Sequence, residues 1–90
     1  MTDNQTSNMT QREILLFAIA SELADRDRLT IHIAAHATAD DVMVAIGDAC
    51  PELVQWLPSC RLAINQVFSR PDDTIPENAE LALIPPVSGG

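Results

Sequence analysis

The residues best suited to chemistry in this sequence are its last two, Gly89 and Gly90, which close the run Leu83-Ile84-Pro85-Pro86-Val87-Ser88-Gly89-Gly90. Glycine orders at the highest entropic cost of any residue and packs nothing, so a Gly-Gly end contributes little to a fold. It does carry a terminal carboxylate on a thread without side chains, slender enough to pass a narrow channel into another protein's active site. There the carboxylate can be activated as an acyl group. A frayed end has the same composition, since chain termini are commonly loose. The dipeptide alone does not choose between the two readings. Lysine, the side chain best able to capture an activated acyl group, is absent, and all five positive charges are arginine. Compositional bias accounts for that equally well.

No other constellation competes. His32 falls on the polar side of an alternating segment and His36 just ahead of a helix start, both positions that face solvent. Cys50 and Cys60 lack the C-x-x-C spacing and have no further ligands nearby, so a metal site is not expected. Free buried thiols are the expected state in a reducing compartment. The sequence holds no Ser-His-Asp grouping, glycine-rich phosphate loop or paired-carboxylate signature. It therefore predicts no self-contained active site, and no cofactor bound by this chain.

The elements behind the tail must hold it out. Ninety residues make one small domain, and 47% hydrophobic content is ordinary for a globular chain. No apolar run approaches the roughly 18 residues of a membrane span. No basic-then-apolar leader opens the sequence, so a cytoplasmic protein is expected. Thirteen acids against five arginines leave a net charge of −8. Nucleic acid is an unsuitable partner for such a chain, because phosphate neutralisation needs a basic face. The charge suits docking on basic partners, and it equally suits simple solubility.

Residues 1–11 are polar and aperiodic and read as a flexible leader. Ile14 to Ala20 is an unbroken apolar run, short enough for a strand buried on both faces. Ser21 to Asp27 reads as a polar connection, and Leu29, Ile31 and Ile33 alternate with polar residues as a half-buried strand. These two strands form an expected antiparallel hairpin. Thr38 caps a helix with Asp40 and Asp41 in its first turn. Val42, Ala45, Ile46 and Ala49 make its apolar stripe, and Pro51 stops it near Cys50. Pro51 to Leu57 adds a further turn or two ended by Pro58-Ser59, with Trp56 in the core. Leu62 to Phe68 is a third strand and Arg70 to Thr74 a turn. Ile75 to Ala79 holds a short helical turn with Asn78 in a left-handed position. Glu80 to Ile84 is the last strand, ended by Pro85-Pro86. One helix over a mixed sheet of four to five strands is the α+β outline of a β-grasp, or ubiquitin-like, fold. The expected division is a leader at 1–11, the domain at 12–84 and a mobile tail at 85–90.

Arg61-Leu62-Ala63-Ile64-Asn65-Gln66, Glu80-Leu81-Ala82-Leu83-Ile84 and the ending Pro85-Pro86-Val87-Ser88-Gly89-Gly90 resemble the small subunits of molybdopterin synthase, the ubiquitin-like sulfur carriers. Phe17-Ala18 with Glu22-Leu23 resembles that family's opening strand and turn, so the resemblance spans roughly residues 12–90. One departure is Asn78-Ala79 where the family usually has Gly-Asp. Asn78 can adopt the left-handed backbone that glycine would supply.

The resemblance implies a sulfur-carrier function. An adenylating enzyme of the ubiquitin-activating type consumes ATP to join Gly90 to AMP, and sulfur from a donor displaces AMP to leave a thiocarboxylate. That sulfur then goes to a cyclic pterin precursor, building the dithiolene in a heterotetramer of two small and two large subunits. Gly89 and Gly90 are the reacting end. Pro85, Pro86, Val87 and Ser88 belong to the tail that enters the partner's tunnel, and Phe17, Phe68 and Ile84 form the patch used by both partners in turn, where core packing is the competing role, for Phe17 more than for Phe68. A thiamine-pathway carrier shares fold, tail and activation, although its usual ending differs. A β-grasp interaction module that is never activated is the reading from another class.

Overall fold

The computed structural model describes residues 9–86. The first strand, β1, runs Met9–Leu16, followed by helix α1 over Ala18–Ala24 and strand β2 over Arg28–Ala34. Helix α2 spans Ala39–Ala49, two short 3-10 turns cover Pro51–Leu53 and Leu57–Ser59, and β3, β4 and β5 occupy Arg61–Ile64, Val67–Phe68 and Leu81–Ile84. The five strands form one mixed sheet in the order β2-β1-β5-β3-β4. β1 and β5 run parallel at its centre, and the remaining pairs are antiparallel. This is the expected β-grasp architecture, with α2 as the main helix and α1 as a second, shorter one.

Period two in β2 is realised in full: Leu29, Ile31 and Ile33 are buried while the residues between them are exposed. They meet Val42 and Ile46 of α2, together with Ile14, Leu16, Leu62, Leu81 and Leu83 from the other strands. Each such aliphatic side chain contributes about 1.5–3 kcal/mol when fully withdrawn from water. Helix α2 begins where the sequence places it. The Thr38 hydroxyl accepts from the Asp41 amide at 3.3 Å, and the Asp41 carboxylate accepts from the Thr38 amide at 3.0 Å. This reciprocal box satisfies two otherwise orphaned donors. The inward stripe is Ala39, Val42, Ile46 and Gly47, with Ala45 half-buried; Ala49, assigned to the stripe by spacing, is exposed. A β-carbon on Gly47 would lie 3.1 Å from Leu57 Cδ1 and 3.3 Å from Val54 Cγ2, so the helix sits close against the segment that follows it.

Several boundaries differ from the sequence reading. β1 starts at Met9, so residues 9–11 belong to the sheet, paired with β2, and not to the leader; residues 1–8 lie outside the described residues. The apolar run Ile14–Ala20 is not one strand. Extended backbone ends at Phe17, and the alanine- and leucine-containing stretch Ala18–Ala24, rich in good helix formers, turns helical until Asp25 takes a left-handed cap. β1 and β2 are antiparallel as expected, but α1 occupies the end of the expected first strand and the start of the polar connection expected over Ser21 to Asp27.

The third strand is likewise interrupted. Asn65 and Gln66 both have positive φ, 53° and 71°, and form a two-residue reversal between Ile64 and Val67. Positive φ at both central residues is the signature of a type I′ hairpin, whose twist matches that of the flanking strands. Asn65 anchors the turn by exchanging bonds with Glu80: its amide donates to the Glu80 carbonyl at 2.8 Å, and its side-chain oxygen accepts from the Glu80 amide at 2.9 Å. Leu57 and Pro58 lie in the second 3-10 turn, so Pro58 continues this segment where it was expected to end it. Trp56 is half-buried against the core, as expected. Asn78 is left-handed at φ 64°, as expected, within a turn and not a helical segment.

The return from β4 to β5 is stitched to the helix start. The Ala39, Asp40 and Ile75 amides donate to the carbonyls of Asp73, Pro71 and Ala37, and Thr38 bridges Thr74. The Arg12 guanidinium donates to the carbonyls of Pro76 at 3.3 Å and Ala79 at 2.9 Å, tying β1 to the turn that precedes β5. Together these contacts thread β5 between β1 and β3, so that the chain leaves the sheet from its centre.

Candidate functional site

One face of the sheet is covered by α2 and the 3-10 segment. The other is open, and it is built in cross-strand rows. Leu15 pairs with Ala82, Ala82 with Ala63, and Ala63 with Phe68, so four residues from β1, β5, β3 and β4 lie side by side. Ala63 and Ala82 are buried yet do not belong to the α2-facing core, which takes their neighbours Leu62, Leu81 and Leu83. One residue further along, Ile84 pairs with Arg61 on β3. Phe17 follows Leu16, the partner of Leu83, and so stands beside Ile84 at the same end of the sheet.

Two alanines flanked by larger side chains leave a hollow. Leu15, Phe17, Phe68 and Ile84 wall a groove of about 430 Å³ floored by Ala63 and Ala82, with Gln66 and Glu80 at one end. Phe17 and Phe68 are 48% and 51% exposed, far more than rings of that size tolerate in a core. The three residues named from the sequence, Phe17, Phe68 and Ile84, are thus brought together on one surface. The competing assignment of Phe17 to the core does not hold. The hairpin turn at Asn65-Gln66 makes this possible, because it folds Phe68 back beside Ala63.

The groove is apolar with a polar frame. The Gln66 side-chain amide donates to Glu80 at 3.4 Å at one end. At the other, the Arg61 guanidinium lies 4.1 Å from the centroid of the Phe68 ring, a cation–π arrangement. Ile84 passes directly into Pro85, which is buried, and Pro86, which is exposed. The root of the C-terminal segment therefore leaves from the edge of the groove. Val87, Ser88, Gly89 and Gly90, singled out from the sequence, lie outside the described residues.

Sequence reasoning missed Leu15, Ala63, Ala82, Arg61 and the Gln66–Glu80 pair. A period-two signal was present in Glu80-Leu81-Ala82-Leu83-Ile84, where the alanine position falls on the face opposite the leucines, but small residues there look like ordinary core. A second hollow, of about 530 Å³, lies on the helical side among Met43, Val44, Val54, Leu57, Cys60 and Arg70. Asp40 and Arg61 also line it, so Arg61, the strand partner of Ile84, stands between this hollow and the groove; neither Ile84 nor Pro85 lines it. Burial pushes both thiols above the ordinary range; for Cys50 a hydrogen bond to Glu52 adds to the effect. His32 and His36 are exposed, as expected. Among the described residues no group of three His, Cys, Asp or Glu side chains could hold a metal ion, and no helix is long and apolar enough to cross a membrane.

The ThiS family model matches residues 14–90, nearly the whole chain and the groove with it. The chain belongs to the ThiS family. The molybdopterin synthase sulfur carrier subunit of Chlamydomonas reinhardtii is 34% identical over 82 residues, covering 89% of this chain and 99% of that protein. The protein of the same name from Dictyostelium discoideum is 36% identical over 83 residues, covering 89% of this chain and 96% of that one. Among solved structures, SAMP1 from Haloferax volcanii superposes with a TM-score of 0.78 at 27% identity, covering 90% of this chain and all of that one. A complex of subunits 1 and 2 of the molybdopterin-converting factor from Helicobacter pylori contains a chain that matches with a TM-score of 0.61 at 22% identity, a likeness of fold.

Proposed function

We propose that this chain is the sulfur-carrier subunit of a molybdopterin synthase, and that Gly90 is the atom-bearing end of the reaction. The observation that carries the reading is the continuity of the open groove with the root of the tail. The same strand, β5, supplies Ala82 and Ile84 to the groove and then delivers the chain to Pro85. A partner seated on Phe17, Phe68 and Ile84 has the root of the tail, Pro85, beside it.

The chemistry follows from what a carboxylate lacks. It is anionic and resonance-stabilised, hence a poor electrophile. Adenylation attaches one of its oxygens to the α-phosphorus of ATP and expels pyrophosphate. The terminal sulfur of a persulfide donor then attacks the acyl carbon and AMP departs, and a second thiol cleaves the resulting acyl disulfide, leaving the thiocarboxylate on Gly90 and the donor in a disulfide with that thiol. The larger synthase subunit supplies the pterin site and its acid–base groups, and this chain supplies the sulfur. Gly89 and Gly90 put no side chain against a channel wall, and Pro85 and Pro86 limit the conformations of the tail, which reduces the entropy lost on insertion.

The relatives that share most of this chain's length carry the molybdopterin synthase name, which supports this pathway over the thiamine one. The solved pair of molybdopterin-converting factor subunits supports a larger subunit as one partner. The activating enzyme is the other, working in the same cytoplasmic compartment. Co-purification of the tagged full chain with the larger synthase subunit, followed by conversion of the pterin precursor by the complex, tests the assignment. Conversion by the complex is the expected result. A stable association with a thiamine-pathway synthase instead would reassign the pathway.

A further inference from the structure

We propose that Arg61 orients docking on the groove by receiving a carboxylate from the larger synthase subunit at the end where the tail leaves. This rests on the docking reading above. Arg61 is exposed and pairs with Ile84, the last strand residue before Pro85. Its guanidinium sits 4.1 Å from the centroid of Phe68, one wall of the groove. Arg61 lines the helix-side hollow and not the groove itself, but because its guanidinium rests on the exposed Phe68 ring, a partner that covers Phe68 from that side meets Arg61.

Covering an arginine without an acceptor strands a charge in a low-dielectric interface, which is strongly unfavourable. Within this chain the acids do not meet the need. Among the described residues the one ion pair is Arg28–Glu13 at 3.1 Å, and Glu80, the acid of the groove, sits at the opposite end with Gln66. Packing against an aromatic ring leaves the N–H donors at the guanidinium edge available, and their forked geometry matches a carboxylate. The groove thus has a cation just outside its tail end, on Phe68, and an anion at its far end. A partner docked in reverse would set like charges against each other, so the pattern fixes which end of the groove meets the mouth of the channel. In a chain of net charge −8 this arginine is a local exception, and complementarity at such a point sets association rate and register more than bulk affinity.

The test measures association of the full chain with the larger subunit encoded in the same genome, at low and at high salt, for the parent, Arg61→Met, Arg61→Lys and Phe68→Asp. The expected result for Arg61→Met is association about five- to ten-fold weaker at low salt with a flattened salt dependence. Arg61→Lys restores the salt dependence in part, and charge reversal of one partner carboxylate is suppressed by Arg61→Glu. Arg61→Met that binds as well as the parent, with the same salt dependence, overturns the role of Arg61 while leaving the docking face intact if Phe68→Asp still abolishes binding. A parent chain that does not bind the larger subunit overturns the docking reading and this inference with it.

Discussion

Ala63 and Ala82 face each other across β3 and β5, and their small side chains are the floor of the groove on the open side of the sheet. Replacing Ala82 with leucine puts three additional carbons into that hollow, on the face away from α2. The expected outcome is a melting temperature within a few degrees of the parent and binding to the larger subunit at least ten-fold weaker, measured by thermal denaturation and calorimetry. Binding at parental strength would show that nothing inserts between Phe17 and Phe68.

Phe68 is 51% exposed, so an aspartate there costs little burial. Phe68→Asp should fold normally by circular dichroism and lose both partners in pull-down, because the ring is a wall of the groove and the seat of Arg61. Retention of both partners would remove the groove from the account.

The reciprocal bonds of Thr38 and Asp41 set the start of the main helix. Thr38→Ala should cost about 1 kcal/mol of unfolding free energy, read as a shifted denaturation midpoint with an unchanged slope, and should leave partner binding at the parental level. A change in binding would mean that the helix start and the open face are coupled.

Both thiols are raised by burial. A thiol that keeps its proton more tightly when folded favours the folded state as long as the unfolded chain also stays protonated. That contribution is fully present below the unfolded value and is lost as pH rises beyond about 8.5. Stability should decline from there upward, and Cys50→Ser, Cys60→Ser or the pair should lessen the decline. Folded chain at pH 7 should react slowly with iodoacetamide, followed by mass, and rapid single labelling would contradict the burial of both thiols.

Much of this was legible before the structure. β2 announced itself because strict alternation has one physical meaning, and α2 because Thr38, Asp41 and Pro51 mark both of its ends. The β-grasp outline followed from their order. The errors arose where local pattern is ambiguous. The run Ile14–Ala20 alternates as a strand between the core, at Ile14 and Leu16, and the open face, at Leu15 and Phe17, and then turns helical with Ala20 in the core, and because every residue is apolar its hydropathy shows no period. The stretch Leu62–Phe68 hides a reversal because Gln66 is an uncommon occupant of positive φ, and tertiary bonds from Glu80 to Asn65 hold the turn. Phe17, Phe68 and Ile84 were identified through the family resemblance. Leu15, Ala63, Ala82 and Arg61 needed the register, since only cross-strand pairing shows that residues nearly seventy positions apart form one row.

The most direct measurement of the central claim is the intact mass of the full chain after incubation with ATP, a sulfur donor and the activating enzyme. The expected result is a gain equal to the difference between sulfur and oxygen, located on Gly90 by fragmentation, and no gain when Gly90 is deleted or replaced by alanine. An unchanged parent mass, or the same gain in the chain lacking Gly90, would contradict it.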